Sequence, residues 1–375
     1  MRIAARFSPS ILSLTEPVHR HVRGPQSFAE FRDAFAGHLQ PFRLWFNFRC
    51  NSLGFHDAEF HPTLPPGTVR LVVLGDSFAY GNVPYNDAYL TVAEARLVAY
   101  AVAELHRPPP AVELDNLGVP ASGIDDYRIV YKFIGRPLHP DVVVVNLYMG
   151  NDLHELSDWA RFGATRAHRL RPKLFTLLAN GTRLIRERLA GNDLLAAPVA
   201  DPSGPGGVIV ESEQTYSDDQ PPLSTPTFSD QAFADIMEVE LHELTREPRG
   251  GPAFERALSR ALDDLVGAIS IDGHRVILAL SPSRLQIYPA ELEAAIARSR
   301  EPAATFDPDA PRRWLTRYAQ SRHLRLIDTT DRLREAAARG ARLYHPNDTH
   351  WNIQGNHVAG DELAHQLIAL GALNP

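Results

Sequence analysis

The sequence predicts a doubly wound α/β/α domain on a parallel sheet of about five strands, with a largely helical insertion. Three observations carry that expectation. Short apolar runs recur along the chain, helical patterns stand between them, and residues able to do chemistry follow the ends of the runs.

Residues 1–66 read as an extension ahead of the main domain, which spans residues 67–375. The extension holds a helical stretch at 27–38 and an aromatic cluster, Phe42, Trp45, Phe46 and Phe48. That cluster reads as a flap packed on the domain edge. Asn51-Ser52-Leu53-Gly54-Phe55-His56-Asp57 follows. Residues 69–74 form an apolar run between Pro65-Pro66-Gly67 and Gly75, as a buried parallel strand requires. A helix is expected at 88–105, stopped by Pro108-Pro109-Pro110. A second strand at 112–114 and a helix at 126–134 precede the third strand, 141–147, the clearest β-branched run in the chain. Strands at 275–280 and 324–327 complete the sheet, each preceded by a helical stretch, at 254–269 and 312–321. A last helix is expected at 357–370. Residues 153–252 break the alternation and read as the insertion. Within it, 167–190 carry a basic helical pattern, and 197–228 are rich in Pro, Gly, Ser and Asp. Its start beside Asn151 suggests that it sets substrate choice.

The chain has 375 residues and a formal net charge of −7. At 44% hydrophobic and 22% charged it has globular composition. The acidic balance argues against nucleic acid as a partner, because neutralising phosphates needs basic surface. Cys50 is the single cysteine, so neither an intramolecular disulfide nor a cysteine-based metal site can form. The apolar stretch at 8–14 is short and broken by Pro9 and Ser10, unlike a secretion signal. No run has the length of a membrane helix. The expectation is a soluble, cytoplasmic protein with no integral membrane segment.

Ligands of a doubly wound sheet bind beyond the carboxyl ends of its strands, here after Leu74, Leu114, Leu147 and Leu280. Gly75-Asp76-Ser77 places a serine on a strand-to-helix turn, with its own N–H able to stabilise an oxyanion. The same position also suits an ordinary helix cap. Asn116-Leu117-Gly118 can bring a backbone N–H close to substrate, because Gly118 has no side chain in the way. Gly150-Asn151-Asp152 offers a side-chain amide donor at Asn151. Asp348-Thr349-His350-Trp351 puts a carboxylate two residues before a histidine, able to reach its Nδ1–H and aim Nε2 at a serine. Each motif alone also reads as a turn or cap. Together they fall at the edge where the topology needs them. Asp76 and Asp152 read as structural carboxylates bonded to loop backbone. His56, His139, His154, His323, His345 and His357 lack partners at metal-ligand spacing and read as packing or surface residues.

This set resembles the SGNH (GDSL-type) serine hydrolases. Ser77, Gly118, Asn151 and His350 match the four motif residues over roughly 67–152 and 253–375. Asn51-Ser52-Leu53-Gly54-Phe55 and Ser281-Pro282-Ser283-Arg284-Leu285-Gln286 resemble segments of a bacterial subgroup. The resemblance implies a flavodoxin-like α/β/α fold without metal or organic cofactor. It implies a catalytic triad of Ser77, His350 and Asp348, and an oxyanion hole of Ser77, Gly118 and Asn151. It also implies hydrolysis of acetyl or short acyl esters on a carbohydrate or small molecule. Two positions depart from the common pattern. Asn347 stands where many members carry the acid, which is therefore assigned to Asp348, and Ala121 stands where glycine is frequent. Asp-x-His-Trp also resembles polysaccharide O-acetyltransferases, so O-acyl transfer from the same site is the alternative. A binding module on a retired hydrolase scaffold is a third reading, though no triad member is lost.

Overall fold

The computed structural model describes residues 25–150, 152, 226–247 and 251–374. Five strands form one parallel sheet: β1 Val69–Gly75, β2 Val112–Gly118, β3 Val142–Tyr148, β4 Arg275–Ser281 and β5 Arg325–Asp328. Their order is β2-β1-β3-β4-β5, a doubly wound arrangement whose order reverses at β1. β1 and β2 end together, as do β3 and β4, and the second pair runs about two residues further, since Leu74 pairs with Val145. Gly75 pairs with Gly118, and Tyr148 with Ser281.

Eleven helices accompany the sheet among the described residues: α1 Phe28–Phe35, α2 Ser77–Tyr80, α3 Tyr89–Ala103, α4 Ile124–Val130, α5 Asp230–Leu241, α6 Gly251–Ile271, α7 Arg284–Ile287, α8 Pro289–Arg298, α9 Ala310–Ser321, α10 Thr330–Ala338 and α11 Ile353–Ala369. The period of two along each strand builds the layers. Val72, Leu74, Val143 and Val145 pack with Tyr127, Leu262 and Leu315 of α4, α6 and α9. Leu71, Val73, Val142 and Val144 pack on the other side with Leu97, Leu333 and Leu363 of α3, α10 and α11. A small third cluster joins Met237 and Leu241 of α5 to Leu285 and Ala295.

All five expected strands are present, and one differs instructively in length. β2 runs to Gly118 instead of stopping at Leu114. Asp115 and Asn116 disguised it, since buried polar residues interrupt an apolar run. Each has a partner inside the protein: Asp115 faces the Arg70 guanidinium, and Asn116 Nδ2 donates to Ala79 O at 2.8 Å. The Asn-Leu-Gly motif is therefore the end of a strand, not the loop after it. Helices α5, α7, α8 and α10 were not anticipated. The expected basic helix at 167–190 lies outside the described residues, as do 197–225 of the polar stretch.

Residues 25–60 pack on the main domain. Phe31 and Phe35 enter its core, Trp45 Nε1 donates to Gly81 O at 2.9 Å, and Phe48 stacks on Tyr85 with centroids 3.9 Å apart. Asn51 Oδ1 accepts from the N–H groups of Leu53 and Phe55, closing a turn that delivers Asp57 into the domain. Among the described residues no helix is long and apolar enough to cross a membrane.

Candidate active site

β1 ends at Gly75, and the chain turns at once into the single helical turn α2. Asp76 caps that turn, its Oδ1 accepting from Phe78 N–H at 2.9 Å. Ser77 is thereby held half-buried at the top of the sheet, beside the strand where the order reverses.

His350 comes from the irregular loop between Tyr344 and Trp351, which form an isolated antiparallel bridge. Its Nε2 lies 2.9 Å from Ser77 Oγ, and its Nδ1 lies 2.7 Å from Asp348 Oδ1. With Asp348 accepting, Nδ1 carries the proton and Nε2 presents its lone pair to the serine hydroxyl. Asp348 Oδ1 also accepts from the His350 N–H at 3.0 Å. Asp348 is 2% exposed, whereas the His350 side chain is 26% exposed. Burial alone would raise the Asp348 carboxyl. The His350 hydrogen bonds and charge outweigh it, with a contribution from the Thr227 hydroxyl, and hold the group at about 2. Burial alone would lower His350. The bond and charge of Asp348 outweigh it and raise the imidazole above its usual range.

Aromatic contacts fix the imidazole plane. Phe78, the residue after Ser77, stacks on Tyr148 at 3.8 Å and on His350 at 5.2 Å, with Trp351 edge-on at 5.0 Å. Tyr148, Tyr344 and Trp351 are buried to 4% exposure or less and serve as packing. Tyr148 OH donates to Glu240, a buried residue of α5 whose carboxyl burial raises to about 7.

Gly118 lies where α2 meets the end of β2. A Cβ there would stand 2.2 Å from Tyr80 N and 2.6 Å from Ala79 C. The missing side chain leaves room for the backbone of the turn that carries Ser77. The Gly118 N–H donates to Asn116 Oδ1 at 2.9 Å. Asn116 N–H in turn donates to Asp57 Oδ2 at 2.7 Å. Asn151, the expected amide donor, lies outside the described residues. Its neighbour Asp152 is fully buried, accepting from Tyr148 N–H at 2.8 Å and from Tyr127 OH at 3.0 Å. Asp76 and Asp152 thus each accept from a backbone N–H, and Asp152 also from the buried Tyr127 phenol.

Several contributors escaped the sequence reading. Thr227 and Phe228, just before α5, bond the histidine loop: their N–H groups donate to Pro346 O at 3.0 Å and Asn347 O at 3.3 Å. Nothing local in the sequence marks that pairing. His345 does more than pack: its Nε2 bonds Asn82 O at 3.0 Å and so links the histidine loop to the segment after Ser77. His56 is buried, as a packing residue should be, with Nδ1 on Tyr80 O at 2.9 Å, and burial lowers it to about 4. His154 lies outside the described residues.

Residues 241–374 match the family described as the SGNH hydrolase-like domain of acetyltransferase AlgX. The match covers about a third of the chain and includes Asp348 and His350. No curated protein matches. Similar solved structures include an acetyl xylan esterase, AlAXEase, at 13% identity and a TM-score of 0.41, covering 80% of this chain and 100% of that one. They also include a catalytic mutant of the acetylxylan esterase Axe2 from Geobacillus stearothermophilus, at 10% identity, TM-score 0.39, and coverage of 80% and 94%. A third is a GDSL-family lipolytic protein from Desulfitobacterium hafniense, at 10%, 0.38, 79% and 98%. The family match over residues 241–374, the strand order and Ser77 hydrogen-bonded to His350 at the head of the sheet together support the chain's likeness to the SGNH (GDSL-type) superfamily.

Proposed function

We propose that the protein is a serine-dependent enzyme of carboxylic ester chemistry, removing acetyl or short acyl groups from a carbohydrate or small molecule. The observation that carries this reading is the continuous hydrogen-bonded line Ser77–His350–Asp348, at 2.9 and 2.7 Å. Ser77 Oγ attacks the acyl carbonyl as its proton passes to His350 Nε2, and Asp348 holds the resulting imidazolium. The oxyanion is held by the Ser77 N–H, the Asn151 amide and the Gly118 N–H. The last must share its bond to Asn116 or give it up. Collapse expels the alcohol, which takes the proton from His350. Water, activated by the same imidazole, then cleaves the acyl-enzyme.

Incubation with a fluorophosphonate probe, with p-nitrophenyl acetate turnover in parallel, tests the proposal. Wild type should carry the probe on Ser77. S77A should carry none and lose at least about 10³-fold in turnover. Equal turnover by a folded S77A sinks it.

A second reading, O-acetyl transfer to a carbohydrate hydroxyl, is favoured by the match to an acetyltransferase family over the segment holding His350. It differs only in the acceptor that resolves the acyl-enzyme. Adding a sugar acceptor separates the two: transfer produces new ester on the sugar in excess of free acid, and hydrolysis produces acid alone.

A further inference from the structure

Asp348 and His350 stand on a loop without regular secondary structure, so bonds from elsewhere must hold its backbone. One side chain supplies two of them. Arg284, at the start of α7 beyond the carboxyl end of β4, donates from Nη1 to His345 O at 2.9 Å and to Asp348 O at 3.1 Å. Its Nε and Nη2 grip Glu291 of α8 as a fork, at 2.6 and 2.8 Å. The guanidinium lies 5.1–5.7 Å from the ring centroids of Phe233, Tyr288 and Tyr344, and the side chain is only 15% exposed.

We propose that Arg284 is the positioning residue of the acid–base pair: it pins the backbone at both His345 and Asp348, so that Asp348 reaches Nδ1 and His350 faces Ser77. This rests on the serine-site reading above. Arg284 bonds no reacting atom, and its influence passes through the loop. A planar guanidinium whose Nε–Nη2 edge is fixed by a carboxylate can offer the two diverging N–H bonds of Nη1 to two carbonyls at once. A lysine, with one rotating ammonium, cannot bridge both carbonyls and keep the Glu291 fork. The His345 carbonyl is one pinned point, and the His345 ring bonds Asn82 O on the nucleophile side. The guanidinium therefore sets the loop against both halves of the site.

The test uses R284M, which keeps most of the packed stem, together with R284K, E291Q and R284A. Each is compared with wild type by fluorophosphonate labelling rate, kcat, KM, pH–rate profile and thermal melting. Displacing a catalytic group by about 1 Å costs on the order of 10²-fold, so R284M should lose about 10- to 100-fold in kcat and labelling rate, with KM changed less than about threefold. Its acid limb should move to lower pH as His350 loses its aligned carboxylate. R284K should recover little, E291Q should shift in the same direction by less, and millimolar guanidinium should restore part of the R284A rate. The proposal is overturned if folded R284M labels and turns over as wild type does. It is equally overturned if activity falls only with the folded fraction and the pH profile stays put. Wild type that takes up no probe instead overturns the serine-site reading, and this proposal with it.

Discussion

Asn347 and Asp348 are adjacent, and their side chains leave the loop in opposite directions. Asn347 adopts φ +46°, a left-handed conformation that asparagine tolerates, and its amide donates to Phe228 O and Asp230. The flip turns Asp348 inward to His350. Replacing Asp348 by Asn should therefore lower kcat by about 10³- to 10⁴-fold, because the wrong imidazole tautomer is then favoured, whereas N347A should cost far less. Steady-state kinetics on the two variants decide the assignment. Because Asp348 raises His350, the wild-type acid limb of kcat/KM should fall above pH 6.5, the ordinary imidazole value, and D348N should move it down. Ala121 shows the opposite economy. It holds φ +57° where glycine would be at ease, so A121G should stabilise the protein by about 0.5–1 kcal/mol in a denaturant melt.

At the scale of elements, the site depends on the contact between the Ser77 turn and the end of β2. G118A places a methyl group against the Tyr80 and Ala79 backbone, which no side-chain rotation can relieve. It should cost about 2–4 kcal/mol by calorimetry and abolish probe labelling, since α2 must move. How far the elements could be read follows the same lines. β1, β3 and β4 are legible because they are largely apolar, β-branched-rich stretches bounded by turns. α5 and α7 were not, because their partners are each other and the distant Ala295 and Phe306 rather than a periodic local face against the sheet. Arg284 was visible as part of a motif after β4, but its role was not, since its partners lie at 291, 345 and 348.

Across the whole molecule, buried carboxyls beneath β2 couple stability to pH. Burial raises Asp57 to about 7, and Glu94 and Asp115 to about 8, with Glu113 adding repulsion and Arg70 opposing it at Asp115. The folded state holds these protons while the unfolded chain releases them near 4, the ordinary carboxyl range. The stabilisation is thus complete below about pH 4 and lost as pH rises through 7–8. Melting temperature should fall as pH rises between about 4 and 8. E94Q, which keeps an oxygen for the Leu114 N–H, should flatten that slope. One histidine works in the opposite sense and offsets part of this slope below about pH 6.5. His56, lowered to about 4 by burial, stays neutral in the fold, and the stability it provides fades as pH drops from about 6.5 toward 4. A pH series of melts on wild type and E94Q checks both limbs.

The sequence by itself determined the layered α/β architecture, the strand sites and the cluster of Ser77, Gly118, Asp348 and His350 at one edge. Those follow from local signals: apolar period, turn chemistry and the rule that parallel strands end where ligands bind. Only the tertiary structure decided that Gly118 accommodates a helix turn, that Asp57 props Asn116, and that Thr227, Arg284 and His345 hold the histidine loop. Each of those bonds joins residues tens to hundreds of positions apart in the chain. No local pattern encodes such a pairing, because it exists only once the sheet has brought its loops together.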